Sequence, residues 1–151
     1  MSGRSAVFKD KLLKLFFNND DYAGIGDAGG ILGSTADGNL YIRLCTSASV
    51  VSDTVIGTEA TFGGYPAKGL AVPRNTTNWT VTANVVNNAL ALAFPTTTSG
   101  ADVIRYFEIW IDNTSTTESA RLYWGQLSFD KAVVVGKAFS FLAESIVITE
   151  N

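Results

Sequence analysis

The chain has 151 residues, 14 acidic and 11 basic side chains, a net charge of −3, no histidine, one cysteine and a hydrophobic fraction of 46%. That length fits one domain able to bury a core without covalent staples, and such hydrophobicity excludes a disordered chain. The weak acidic balance provides no electrostatic footprint for nucleic acid or an anionic membrane, and a lone cysteine excludes an internal disulfide framework.

At the start, Arg4, Lys9, Asp10, Lys11 and Lys14 lie among apolar residues, which breaks the pattern of a signal peptide. No apolar run approaches the ~20 residues that span a bilayer. The expectation is synthesis in a cytoplasm without export. The sequons at Asn75, Asn78 and Asn113 are then formal only. Residues 5–17 are predicted to form the one helix: Phe8, Leu12, Leu15 and Phe16 recur at the spacing of one helical face. Ser5 is placed to cap its start, and Asn18, Asn19, Asp20 and Asp21 to end it. Leu13 and Phe17 widen the apolar surface beyond one stripe. The helix therefore either packs wholly on its own domain or offers Phe8, Leu12, Leu13, Leu15, Phe16 and Phe17 in part to another subunit.

Residues 22–39 read as a glycine-rich loop, and short alternating runs follow. Leu40, Ile42 and Leu44 share one face of a strand, with Tyr41, Arg43 and Cys45 on the other. Trp79, Val81 and Ala83 form a second run, residues 84–87 read as a turn, and Leu90, Leu92 and Phe94 continue to Pro95. The strongest strand covers residues 103–112; both of its faces are mostly apolar, which predicts a central, doubly covered position. Residues 122–129 and 132–135, a turn or bulge at Gly136-Lys137, and residues 139–149 complete the set. Ser/Thr/Asn/Gly clusters separate the runs. The pattern predicts an all-β fold, an antiparallel β-sandwich or jelly-roll-like domain of about seven to nine strands with one N-terminal amphipathic helix. The helix takes residues 1–21 and a single β-sandwich domain residues 22–151.

Little in the sequence points to chemistry. Without histidine there is no Ser-His-Asp or Cys-His arrangement, and a lone Cys45 cannot build a zinc site. Cys45 sits in an apolar run and reads as a buried inert thiol, the alternative being a reactive one. Gly24, Gly26 and Gly29 spell G-x-G-x-x-G, but a helix and a turn precede them and no helix follows, so no dinucleotide site is expected. Asp20, Asp21 and Asp27 gather oxygens without the ligand spacing of a calcium loop. Glu108, among apolar neighbours, reads as the partner of Arg105, Arg43 or Arg121; it or Asp112 would be the acid if the chain were an enzyme. No catalytic residue, metal or cofactor is expected. Of the aromatics Trp79, Trp110, Trp124, Tyr106 and Tyr123, those in strong strands are expected to fill the core.

The order of segments resembles a family of small tailed-bacteriophage virion structural proteins, often labelled structural or tail-fibre proteins. The resemblance is carried by residues 12–18 (LLKLFFN), 38–44 (GNLYIRL), 59–65 (EATFGGY), 79–81 (WTV), 92–96 (LAFPT), 122–128 (LYWGQLS) and 139–149 (FSFLAESIVIT). It departs at Tyr65-Pro66-Ala67-Lys68, where the family reads Tyr-Ala-Arg, and at Val135-Gly136-Lys137, where it carries Asn-Gly. The resemblance implies a non-catalytic virion protein, made in the bacterial host cytoplasm, that docks as a homo-oligomer onto other virion proteins. The expected place is capsid decoration or cement, or a head–tail or collar accessory. The alternative is a tail-fibre or receptor-binding module that reads a host glycan, with Tyr65 and Trp79 exposed as its contacts. Neither nucleic acid nor membrane is expected as a partner.

Overall fold

A computed structural model describes residues 4–26, 30–48 and 50–151. The antiparallel, mostly β class with one N-terminal helix is borne out, with nine strands among the described residues. The chain forms two compact units, each assembled from separated stretches: Met1–Gly38, Pro73–Leu92 and Phe141–Asn151 in the first, Asn39–Val72 and Ala93–Ser140 in the second.

In the first unit, helix α1 runs from Ala6 to Leu13. Ser5 caps it: its side-chain oxygen accepts from the Phe8 amide at 3.2 Å, satisfying one of the orphan donors of a helix start. A π-helical turn, Lys14–Asn18, follows and stops at Asn19, whose left-handed backbone (φ 60°) closes the helix. The sequence-derived stripe needs correction here. Leu13 and Phe17 are the fully buried pair with Leu15 nearly so, while Phe8, Leu12 and Phe16 are only half-buried. The π turn takes up one residue more than an α turn and so shifts the side chains after Leu13 from the expected register.

The helical segment packs on β3 (Trp79–Thr82) and β4 (Val85–Asn88), which form a three-stranded sheet with β9 (Val147–Thr149) in the order β3-β4-β9. Thr82 pairs with Val85, so the turn is Ala83-Asn84, with Ala83 at φ 56°. Of the turn expected over residues 84–87 only Asn84 lies in a turn; residues 85–88 are a strand. The reason lies in Asn88, which is fully buried. Its Nδ2 donates to Leu90 O and Leu142 O at 2.8 and 2.7 Å, and its Oδ1 accepts from the Ile146 amide at 2.8 Å. The same bonds break the run expected over residues 139–149. A turn through Glu144 (φ 62°) separates β8 (Ser140–Phe141) from β9.

The second unit is built on a four-stranded sheet, β2 (Leu70–Pro73), β1 (Asn39–Cys45), β6 (Ala101–Trp110) and β7 (Arg121–Val134), in the order β2-β1-β6-β7. β6 is central, as its two apolar faces require, and residues 106–110 are all buried. β7 is one 14-residue edge strand rather than two, and the turn after it closes with Lys137 N donating to Val134 O at 3.0 Å. The β6–β7 register is broken twice. Ile109 pairs with Tyr123 but Trp110 with Arg121; Ile104 pairs with Lys131 but Tyr106 with Gln126. At the second break residues 127–130 bulge out opposite Arg105 alone, a device that bends an edge and re-aims side chains. β5 (Leu92–Ala93) and β8 pair as a two-stranded ribbon.

Candidate functional site

The residues singled out in the sequence fall in different places. Trp79 opens β3 and is 0% exposed; Phe17 meets it edge-on, with ring centroids 4.9 Å apart at 66°. Its expected role as an exposed sugar contact is corrected: a stacking platform needs a ring face in water, and this ring is core. Tyr65 is half-buried in the second unit between Phe62, at 5.2 Å, and Phe94, at 5.9 Å. Its hydroxyl accepts from the Leu44 amide at 3.0 Å, and burial pushes its phenol pKa well up. Trp110 is buried as expected of a strand aromatic, whereas Trp124 on the edge strand is partly exposed and donates from Nε1 to Asp53 at 3.1 Å.

Glu108 lies at the centre of a closed polar knot. Its side chain is 1% exposed and that of its partner Arg121 3%, at 2.9 Å. Of the three arginines proposed, the partner is Arg121. Oε1 also accepts from Gly57 N at 2.7 Å, and Oε2 from Trp110 Nε1 at 2.9 Å. Arg121 in turn donates to Val55 O at 3.0 Å and to Ser52 O. The loop before Gly57 is thus fastened to the sheet by one ion pair. Gly57 has to be glycine, because a Cβ there would lie 2.6 Å from Cys45 Sγ. Cys45 is buried, and burial, reinforced by the charge of Glu108, pushes its thiol pKa far up. That is the inert reading, since the thiolate is the reactive form.

Asp112 ends the same strand in a tight side-chain turn. Oδ1 accepts from Ser115 N at 2.6 Å and Thr114 N at 2.7 Å, and Ser115 Oγ donates to Oδ2 at 2.7 Å. Bonds from Ser115, then Thr114, hold its carboxyl well below the usual carboxylate range. A depressed folded pKa adds stability that is fully present above the unfolded value of 3.8 and is lost as pH falls through the folded value. We therefore expect Asp112→Asn to flatten the fall in melting temperature between about pH 4 and pH 2. A parallel shift at all pH values would show that the carboxylate charge is not what holds the turn.

Arg43 was named in the sequence only as a partner for Glu108, and its actual role was missed. The one available signal was a charge in the middle of an apolar strand. It is 4% exposed; its guanidinium carbon lies 3.7 Å from the centroid of the Trp110 ring, and Nη2 donates to Ser115 O at 3.0 Å and Asp112 O at 3.4 Å. It lines one hollow, which shares Glu59 and Lys68 with a second hollow.

Besides single residues such as Val50, Val55 and Ile111, the second unit exposes an apolar face on the far part of the β6–β7 ribbon. Opposed residues in an antiparallel pair share a face. Ala101 with Val134 and Val103 with Ala132 make one face, all four exposed, while Ile104 and Val133 on the other face are buried. Phe129, in the bulge beside them, is 69% exposed.

Among the described residues no three His, Cys, Asp or Glu side chains gather as a metal group, and no helix is long and apolar enough to cross a membrane. Asp27, Ala28 and Gly29, on which the glycine motif and the acidic loop depended, lie outside the described residues. Residues 29–149 match the sequence profile of the podophage GP4 fiber I protein gp80 family. No curated protein matches the chain.

Proposed function

The chain belongs to the podophage GP4 fiber I protein gp80 family, a tailed-phage virion structural family, and from that premise we propose that it is a non-catalytic fibre subunit joined to copies of itself through the outer face of the β6–β7 ribbon. The observation that carries this is the apolar quartet Ala101, Val103, Ala132 and Val134 with Phe129 beside it, open on a long edge strand. Free edges and uncovered apolar faces are what a soluble protein hides or uses. A repeated subunit uses such a face many times over, so a modest contact becomes a firm one. The family's fibre role favours the tail-fibre alternative over capsid decoration or a collar. The absence of catalysis is supported by Glu108 and Asp112, the two carboxylates that could have served as acids. Both are fully engaged in holding the fold.

Phe129→Asp together with Val103→Asp is expected to convert an oligomer to a monomer in light scattering, with far-ultraviolet circular dichroism unchanged. A chain that is monomeric before substitution, or a variant that still assembles, would defeat the proposed interface. Immunogold labelling of particles separates the locations: label on the fibres supports the reading, and label over the capsid lattice overturns it.

A further inference from the structure

We propose that Asp37-Gly38 is a site of spontaneous modification, at which the chain closes on the Asp37 side chain to a succinimide and reopens in part as isoaspartate. The step needs a carboxyl group, the backbone nitrogen of the next residue, and room for the two to meet. A side chain on that next residue crowds the approach. Asp37 is the one aspartate in the chain followed by glycine, and no asparagine precedes a glycine.

The fold leaves this pair open. Both residues are exposed, in irregular backbone just ahead of β1. Gly38 has φ 65°, which glycine adopts without steric cost, and a Cβ placed on it would meet nothing within 4 Å. Its amide enters no hydrogen bond among the described residues, while its carbonyl accepts from the Arg74 amide at 3.2 Å. Asp37 is held by one bond only: Oδ2 accepts from Asn75 Nδ2 at 2.9 Å, at an exposed position. That bond keeps the carboxyl beside the turn without enclosing it.

Other aspartates are less free. Asp102 accepts from the Thr61 and Phe62 amides, and Asp112 from those of Thr114 and Ser115. Asp10, in α1, pairs with Lys14, and Asp130, in β7, with Arg105. Asp53 is the sharpest comparison: it is exposed like Asp37, but β-branched Thr54 follows it.

The chemistry balances with water as the one co-reactant. The Gly38 nitrogen attacks Cγ of Asp37 in its acid form. A C–N bond forms, a C–O bond breaks, and the hydroxyl leaves as water with the proton that the nitrogen gives up. Water then opens the ring. Addition at Cγ restores Asp37. Addition at the main-chain carbonyl leaves Gly38 joined through Cγ, so the backbone gains a methylene just before β1. The free carboxylate then sits on the main-chain carbon, away from Asn75 Nδ2. A virion outside its host replaces no subunits, so in a virion structural protein the product accumulates with the age of the particle.

The test incubates the folded full chain at neutral pH in water enriched in heavy oxygen. Digestion in ordinary water follows, then electron-transfer mass spectrometry, which tells isoaspartate from aspartate. A peptide of residues 34–41 is incubated alongside as a clock. Heavy oxygen and isoaspartate are expected to accumulate at Asp37, and faster there than at Asp53 or any other aspartate. Asp37→Glu is expected to lose both, because its imide would be a larger and slower-forming ring; circular dichroism checks that this variant is folded. A chain that stays unlabelled at Asp37 while the peptide takes up label would show that the fold shuts the site, and would overturn the proposal. Equal labelling at Asp53, or label at position 37 that survives Asp37→Glu, would overturn it too.

Discussion

Replacing Arg121 by alanine is expected to cost about 3–5 kcal/mol of folding stability, the range for removing one partner of a buried ion pair. The loss of attraction is the smaller part of that. Glu108 would stay buried with a charge that only Gly57 N–H and Trp110 Nε1–H still solvate. The carbonyls of Ser52 and Val55 would lose their donor as well. Marginal stabilities of 5–15 kcal/mol leave little margin for such a change. Urea unfolding followed by tryptophan fluorescence measures it, and Glu108→Leu combined with Arg121→Met is the companion variant. An apolar pair of similar volume often equals a buried ion pair, so the double variant should regain most of the loss. A single variant within about 1 kcal/mol of the parent would mean that water reaches Glu108 and the knot is open.

Trp79→Ala is expected to destabilise the chain by about 3–5 kcal/mol, the usual cost of emptying a large aromatic site in a core. The ring is buried against Phe17, so the substitution removes the contact that fastens the helical segment to the β3–β4 hairpin. Thermal unfolding reads the loss directly, and Phe17→Ala should reproduce much of it. The two losses should fall short of additivity, because they remove the same contact. Unchanged stability in Trp79→Ala would mean that the ring is not core and would reopen its reading as a surface contact.

The sequence made some of this legible and hid the rest for physical reasons. Ser5 as cap and Asn19 as stop could be read from local chemistry, because capping depends on a residue and its near neighbours. The central place of β6 followed from its two apolar faces. The buried face of the helix did not follow, since Leu12, Leu13, Leu15, Phe16 and Phe17 fit several registers and the π turn selects one. Residues 84–87 read as a turn because an asparagine stands at each end; residues 85–88 form a strand instead, and Asn88 is buried by bonds to Leu90, Leu142 and Ile146, two of them more than fifty positions away. The hollow lined by Arg43 was hidden for the same reason. Glu59 and Lys68 come from the long connection between β1 and β2 and meet Arg43 only once that connection is folded.

The interleaving of the two units has a consequence for the order of synthesis. A ribosome adding Phe141 has already made every residue of the second unit, whose last stretch ends at Ser140. The first unit is still open at that moment, although its helix was made before any of the nine strands. β4 lacks its neighbour β9, which pairs Val85 with Thr149, Val86 with Ile148 and Asn87 with Val147. Asn88 still lacks the Leu142 carbonyl and the Ile146 amide. Until Val147–Thr149 are added, the nascent chain carries β4 without its β9 neighbour, and Phe17 and Trp79 belong to a core that cannot yet close. A chain cut short before Val147 would retain that defect permanently. Termination between Phe141 and Val147 should therefore yield aggregates, since an exposed strand edge beside unburied aromatics is a template for pairing with the next chain.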